Sequence, residues 1–482
     1  MKLAAFLGHI HWLVLFAPAL AGQEPKPFPF YNHRPYLQSL TSTSVLIATQ
    51  SKLEVVARLQ YGLDEGMELR IEEESPRRDH LFKLEGLTPG TTYHFRVSHI
   101  GDTVFARSTF RTLPGPGSTV SLAAIGDSGT ESEAQFEVLA ILERLEPVIL
   151  VHTGDLVYPF GSPSNYHSKF FDVYRDFLRS TCIYPVLGNH DCLRSPDYWL
   201  YMFHLPANNP AKDESYYSFD AGDAHFAALS SCTDELPEDQ LLWLDEDLAA
   251  SHLTWKIVVL HHPIYSNAFH GGSAHIRDVL VPILERRGVD LVLSGHDHVY
   301  ERSYSILGGV IRGAHQDPDY VSPEGILYVV TGGGGAPLYD FKPSPEAHLG
   351  AVFRSGHHAL SLEITPERIT GRAMGVDEEL IDRFSITKPA PGPALRFRRG
   401  DTNEDGSVDV ADVVGALGYL FAGLPPPCLA ASDVNGSRSV ELTDSIHLLN
   451  HLFIGGPSPV PPYPDCGSDE EADESGCKGS CD

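Results

Sequence analysis

Basic side chains are scarce: 35 Lys and Arg stand against 64 Asp and Glu, for a formal net charge of -29. That balance argues against nucleic acid or an anionic membrane as a surface-bound partner, and it favours solubility and attraction for cations. Long apolar runs are missing beyond the N-terminus, so no later segment has the length to span a bilayer. Cysteine is sparse, seven in 482 residues, and none has zinc-finger spacing. The run Gly332-Gly333-Gly334-Gly335 lacks the Lys-Ser/Thr ending that a nucleotide P-loop needs. It reads as a tight turn after a strand at residues 326–331.

What is present divides the chain into two to four domains, as its length requires. Met1-Lys2, an apolar stretch broken by His9 and His11, and Ala19-Leu20-Ala21 form a secretory signal over residues 1–21. The mature chain is therefore expected outside the cytoplasm, extracellular or periplasmic, with some of its cysteines paired. Cys182 and Cys192 bracket the Gly188-Asn189-His190-Asp191 loop, and a bridge between them is one pairing open to the sequence; Cys428, Cys466, Cys477 and Cys481 are placed to staple the C-terminal region.

In the middle of the chain, five β-rich apolar runs end in glycine or histidine punctuation. Val120–Ile125 leads into Gly126-Asp127-Ser128-Gly129, and residues 148–152 lead into Gly154-Asp155-Leu156-Val157-Tyr158. Residues 183–187 lead to Gly188-Asn189-His190-Asp191, residues 256–260 to His261-His262-Pro263, and residues 289–294 to Gly295-His296-Asp297-His298. A buried strand that ends this way delivers a polar side chain at its C-terminal end, the edge where open α/β sheets bind ligands. Helical stretches at residues 132–145 and 237–250 alternate with these strands, the second with Leu241, Leu244 and Leu248 at helical spacing. The set Asp127, Asp155, Tyr158, Asn189, His261, His296 and His298 offers mixed oxygen and nitrogen donors, enough for two metal ions.

The ordered series Gly-Asp-x-Gly, Gly-Asp-x-x-Tyr, Gly-Asn-His-Asp, Val-x-x-His and Gly-His-x-His resembles the purple acid phosphatases, a branch of the calcineurin-like metallophosphoesterases. The resemblance covers the chain to about Thr387 and implies a sandwich of two mixed sheets flanked by helices. It assigns Asp127, Asp155, Tyr158 and His298 to a first cation, and Asp155, Asn189, His261 and His296 to a second, with Asp155 as the bridge. Phenolate and carboxylate suit Fe(III); the neutral amide and imidazoles suit a divalent ion such as Zn, Fe or Mn. By the same resemblance His190 contacts phosphate and His270 is a general acid for the leaving group, with His275 its competitor nearby. His262 is expected to point away and His152 to be structural; His357 and His358 receive no role.

The flanks carry resemblances too. Short alternating runs between residues 34 and 112, with Leu87-Thr88-Pro89-Gly90-Thr91-Thr92-Tyr93, resemble a fibronectin type III β-sandwich, whose tyrosine locks a corner; Ala48 stands where such modules often carry Trp. After a Pro-rich linker, Asp401, Asn403, Asp405, Ser407 and Asp412 give oxygen donors with calcium-loop spacing around Gly406. The pattern returns more loosely at Asp433, Asn435, Ser437, Ser439 and Asp444, with Arg438 where Gly is expected. Each loop enters an apolar helix, and the duplicated unit resembles a type I dockerin, which implies bound calcium, weaker in the second loop, and a cohesin-type partner.

The expected organisation is thus multidomain: signal 1–21, fibronectin III-like sandwich 28–114, α/β metallophosphoesterase domain 119–387, linker 388–399, small α dockerin-like domain 400–456 with paired calcium loops, and a Pro-rich, acidic tail 457–482. The expected function is a secreted acid phosphatase that hydrolyses phosphate monoesters by attack of a metal-bound hydroxide at an Fe(III)–M(II) centre. The alternatives are a phosphodiesterase or pyrophosphatase on the same scaffold, or a calcium-dependent cohesin-binding assembly component.

Overall fold

The computed structural model describes residues 29, 32–99, 104–313, 318–388, 396–424, 426–437, 439–467 and 477. The secretion signal, most of the Pro-rich stretches that follow it and precede the C-terminal region, Arg438 and most of the acidic tail lie outside the described residues. Two compact units divide the chain, Met1–Thr387 and Lys388–Asp482.

The first unit is built on two mixed sheets. Val120–Ile125, Ile149–His152 and Cys182–Pro185 run parallel in the middle of a ten-stranded sheet. Nearly every residue of these strands is buried, which is why they read as continuous apolar runs and not as alternating ones. The helix Glu133–Leu145 connects the first two; Ser132 caps it by accepting from Gln135 N, and it buries Val138, Ile141 and Leu142. In the seven-stranded sheet Ala224–Ala228, Trp255–Val259, Leu291–Ser294 and Leu327–Thr331 are parallel neighbours. Alternation sends Ile257 and Val259 into the core between the sheets, and Val258 outward beneath Leu244 and Leu248 of Glu238–Ala250 and Ile276 and Leu280 of Ala274–Arg286. The parallel strands of both sheets end towards the same cleft.

Seven N-terminal strands divide between that ten-stranded sheet and a further one. His33–Gln38, Ser44–Val55 and Arg77–Glu85 extend the ten-stranded sheet, because Leu37 pairs in parallel with Cys182. Ala57–Gly62, Leu69–Glu72, Thr92–His99 and Val104–Arg111 make a separate four-stranded sheet. Strand pairing therefore carries across the boundary placed at residues 114–119. The Tyr93 hydroxyl accepts from Thr88 N at 2.9 Å, tying the turn before its own strand.

The second unit holds the helices Val410–Ala422 and Leu442–Ile454, each ended by a left-handed glycine, Gly423 and Gly455. Val413, Val434 and Leu448 pack between them. Asp412 accepts from the backbone N–H of Thr402, Asn403 and Asp409, and Asp444 repeats this with Asn435 and Glu441. Among the described residues, no helix is long and apolar enough to cross a membrane.

The cysteine bridge considered around the Gly188–Asp191 loop does not form. Cys192 pairs with Cys232, 40 residues on, while Cys182 is buried and unpaired. Cys182 opens a strand whose every residue is buried in the core, whereas Cys192 ends the short helix Asn189–Cys192 near the loop after Ala224–Ala228. In the C-terminal unit Cys428 pairs with Cys477.

Candidate metal centre

Three strand ends of the ten-stranded sheet supply Asp127, Asp155 and Asn189; two of the seven-stranded sheet supply His261, His296 and His298. Asp127, Asp155 and His296 adopt left-handed backbone conformations, with φ of 58°, 52° and 67°. Each costs of order 1 kcal/mol or more for a non-glycine residue and persists because the surrounding loops fix it. Close approach explains Gly188, where an added Cβ would overlap the Asp155 carboxylate.

The seven side chains sort into two groups. In the first, Tyr158 Oη donates to Asp127 Oδ1 at 3.0 Å and lies 3.1 Å from His298 Nε2, itself 3.5 Å from Asp127 Oδ1. In the second, Asn189 Oδ1 lies 3.0 Å from His261 Nε2 and 3.1 Å from His296 Nδ1, and these two ring nitrogens are 3.3 Å apart. Asp155 Oδ2 stands 3.4 Å from His261 Nε2. Ligand atoms of Asp127, Asp155 and His261, all buried, fall within 4.8 Å of one another and so join the groups.

The donor chemistry fits cations. His261 Nδ1 donates to Thr153 O at 2.8 Å, and His298 Nδ1 donates to Pro337 O, so each Nε2 presents a lone pair to the centre when the ring is neutral. Acceptors facing acceptors at such distances repel unless something positive sits among them. Donors around a first-row cation at about 2.1 Å stand about 3.0–3.4 Å apart, the spacing found here. The outer oxygens are already engaged: Asp127 Oδ2 accepts from His296 N at 2.9 Å and Asp155 Oδ1 from His190 N at 2.8 Å.

The electrostatics agree. Burial opposes charge on His261, but the Asp155 carboxylate outweighs it and pushes the imidazole up to about 9, so the pocket demands positive charge, as a proton or as a metal. Burial raises the Tyr158 phenol well above its ordinary value, and Asp127 and Asp155 add to it; a cation would reverse that direction.

Around the centre, His190 lies against the Tyr158 ring, 4.5 Å between centroids, with Nδ1 held at 2.7 Å by Pro159 O. His270 comes to 4.2 Å from the His296 ring, and its backbone N–H is fixed by Asp297 Oδ1 at 2.9 Å. His275 is exposed on the helix Ala274–Arg286. His152 is buried with Nε2 at 2.9 Å from Ser128 Oγ, and His358 bonds Thr331 Oγ1 and Gly356 O. His262 departs from expectation: its ring packs 4.3 Å from that of His296 and lines a hollow beside the centre. The strand ends at Val259, so the alternation that would turn residue 262 away no longer applies.

Two supporting acids escaped the sequence reading although both lie inside quoted motifs. Asp191 accepts from Leu156 N, Gly188 N and Tyr166 Oη, which locks the Asp155 and Asn189 loops together. Asp297 accepts from Ser266 Oγ as well as the His270 loop. An acid within two residues of a donor position was the signal.

Residues 95–300 match the family of calcineurin-like phosphoesterases. Purple acid phosphatase 21 of Arabidopsis thaliana is 29% identical over 303 residues, 56% of this chain and 64% of that protein. Purple acid phosphatase 4 of the same plant is 30% identical over 223 residues, 40% of this chain and 66% of that one. The chain thus spans a little under two thirds of the length of these relatives. The structure of the purple acid phosphatase PPD1 from yellow lupin seeds superposes with a TM-score of 0.65 at 19% identity, over 74% of this chain and 75% of that one, a likeness of fold.

Proposed function

We propose that this chain, whose core is that of a calcineurin-like metallophosphoesterase similar to the purple acid phosphatases, is an acid phosphatase that hydrolyses phosphate monoesters at a dinuclear centre. The carrying observation is the pair of donor groups with lone pairs turned inward, joined by Asp155. Asp127, Tyr158 and His298 would hold one cation, Fe(III) by their hard anionic character; Asn189, His261 and His296 would hold a divalent one, Zn, Fe or Mn, with Asp155 between. When bound, the two ions supply Lewis acidity and acidify water for attack at phosphorus. In this reading His190, pinned by Pro159 O, would hold a phosphoryl oxygen. His270, whose backbone Asp297 holds, would give a proton to the departing oxygen.

A test is to load the full chain with iron and zinc and compare a mono- with a diester. Monoester turnover should exceed diester turnover, and Asp155→Ala should reduce both by about a thousandfold or more. Diester turnover in excess would favour a phosphodiesterase on the same scaffold. Export in oxidised form is supported by the N-terminal signal pattern and the Cys192–Cys232 and Cys428–Cys477 bridges.

The second unit is in this reading a calcium-dependent docking module. Support comes from the repeated acid–helix geometry at Asp412 and Asp444, and from the exposed apolar side chains Val414, Phe421, Ile446 and Phe453 at matching places on the two helices. A cohesin-type domain is the proposed partner. Calorimetry with such a domain, with and without calcium, tests it.

A further inference from the structure

Beside the candidate centre lies a hollow of about 180 Å³. His270 and His296 form the wall it shares with the centre; Gly271 leaves it roomy, since nothing lies within 4 Å of where a Cβ would stand there. His262 lines it with a ring only 7% exposed. Its Nδ1 faces Ser231 Oγ at 3.3 Å, and its Nε2 has no hydrogen-bond partner among the described residues. That leaves Nε2 able to bond a group seated in the hollow.

The rim carries Asp234, an exposed carboxylate on a firmly mounted loop. Ser231 Oγ accepts from both His261 N and His262 N at 3.1 Å, Cys232 is bridged to Cys192, and the Gln240 side chain clamps Ser230 N and O. No Lys or Arg is among the described residues that line the hollow. Among those residues the one carrying a fixed charge, Asp234, is negative.

We infer that this hollow receives the leaving group and selects an alcohol bearing a positive charge, so that phosphate monoesters of amino alcohols are favoured over esters whose leaving group carries a second anion. The inference rests on the hydrolase reading above and adds a substrate class, with Asp234 as the specificity-determining residue and His262 as a hydrogen-bonding contact.

Two phosphonates, whose carbon–phosphorus bonds a phosphoesterase does not cleave, test it: aminoethylphosphonate and carboxyethylphosphonate, equal in linker and opposite in end charge. Calorimetry on the metal-loaded full chain should find the amino compound tighter by about tenfold, as one carboxylate–ammonium pair at partly exposed distance provides. Asp234→Asn should bring the ratio near one and Asp234→Lys should invert it, while inorganic phosphate affinity, which reports the centre alone, stays within about twofold. Equal affinities in the parent chain, or a ratio that neither variant moves, would overturn the inference and leave the hydrolase reading standing. A loaded chain that binds neither phosphonate nor inorganic phosphate would overturn both.

Discussion

Asn189 Oδ1 and His261 Nε2 meet at 3.0 Å, although Asn189 follows a strand of one sheet and His261 a strand of the other. Both atoms carry lone pairs when the His261 ring is neutral, since its second nitrogen gives its hydrogen to Thr153 O. Their meeting is what turns a sandwich of two sheets into a candidate cation site.

Asp191 holds that meeting in place from behind, through N–H groups on both the Asp155 and the Asn189 loops. Asp191→Ala should weaken metal affinity about 10–100-fold, as loss of an outer-shell partner does. Asp191→Asn should recover part of the loss. Titration of the demetallated chain with zinc, read by calorimetry, checks both; equal affinities would assign Asp191 a packing role only.

The Cys192–Cys232 bridge closes a 40-residue separation. Replacing both with serine should cost about 2–4 kcal/mol in unfolding free energy. It should also free the loop that carries Asp234, so the phosphonate selectivity should fall in parallel. Cys182, fully buried and with its thiol pushed up to about 12 by burial, should resist thiol reagents until the chain unfolds.

His225 sits between Asp220 at 2.7 Å and Asp247 at 2.8 Å, joining its strand to the helix Glu238–Ala250. Burial disfavours its charge, but the two carboxylates outweigh that and push the imidazole up to about 9. A folded-state value raised above 6.5 contributes stability that is complete below about pH 6.5 and lost as pH rises through about 9. The shift corresponds to roughly 3 kcal/mol, reduced to about 1–2 kcal/mol because Asp220 is exposed. His225→Gln should therefore destabilise at pH 6 by about that amount and by little at pH 10, measured by denaturant unfolding at both values.

In the second unit the buried Arg399 guanidinium lies 3.6 Å from Asp433, the first acid of the second loop. A guanidinium there competes with a cation, whereas no arginine pairs with Asp401 among the described residues. Calcium should raise the unfolding temperature of the chain's second transition. Asp401→Ala should abolish that rise; Asp433→Ala should keep most of it while lowering stability with or without calcium, because the Arg399 guanidinium loses the Asp433 carboxylate from among its partners.

The donors were legible because each belongs to a local signal, an apolar run broken by Gly-Asp, Gly-Asn or His. The strand interiors were legible for the same reason. His262 was not: alternation predicts its side only while the strand lasts, and the chain leaves the strand at Val259. Asp234 carries no local sign at all, being one acid among many on an acidic surface. The partner of Cys192 lies 40 residues away, a distance set by how two sheets stack and not by any spacing in the chain. Likewise the pairing of Leu37 with Cys182, which merges the N-terminal strands into the larger sheet, is decided by tertiary packing.

The most direct measurement is the content of iron, zinc and manganese in the purified full chain, taken together with its visible spectrum. About two ions per chain are predicted, with a broad visible absorption from tyrosinate on Fe(III) that disappears in Tyr158→Phe, and with metal lost in Asp155→Ala and His261→Ala. Substoichiometric metal after growth and loading with all three, or variants that retain the parent's content, would contradict it.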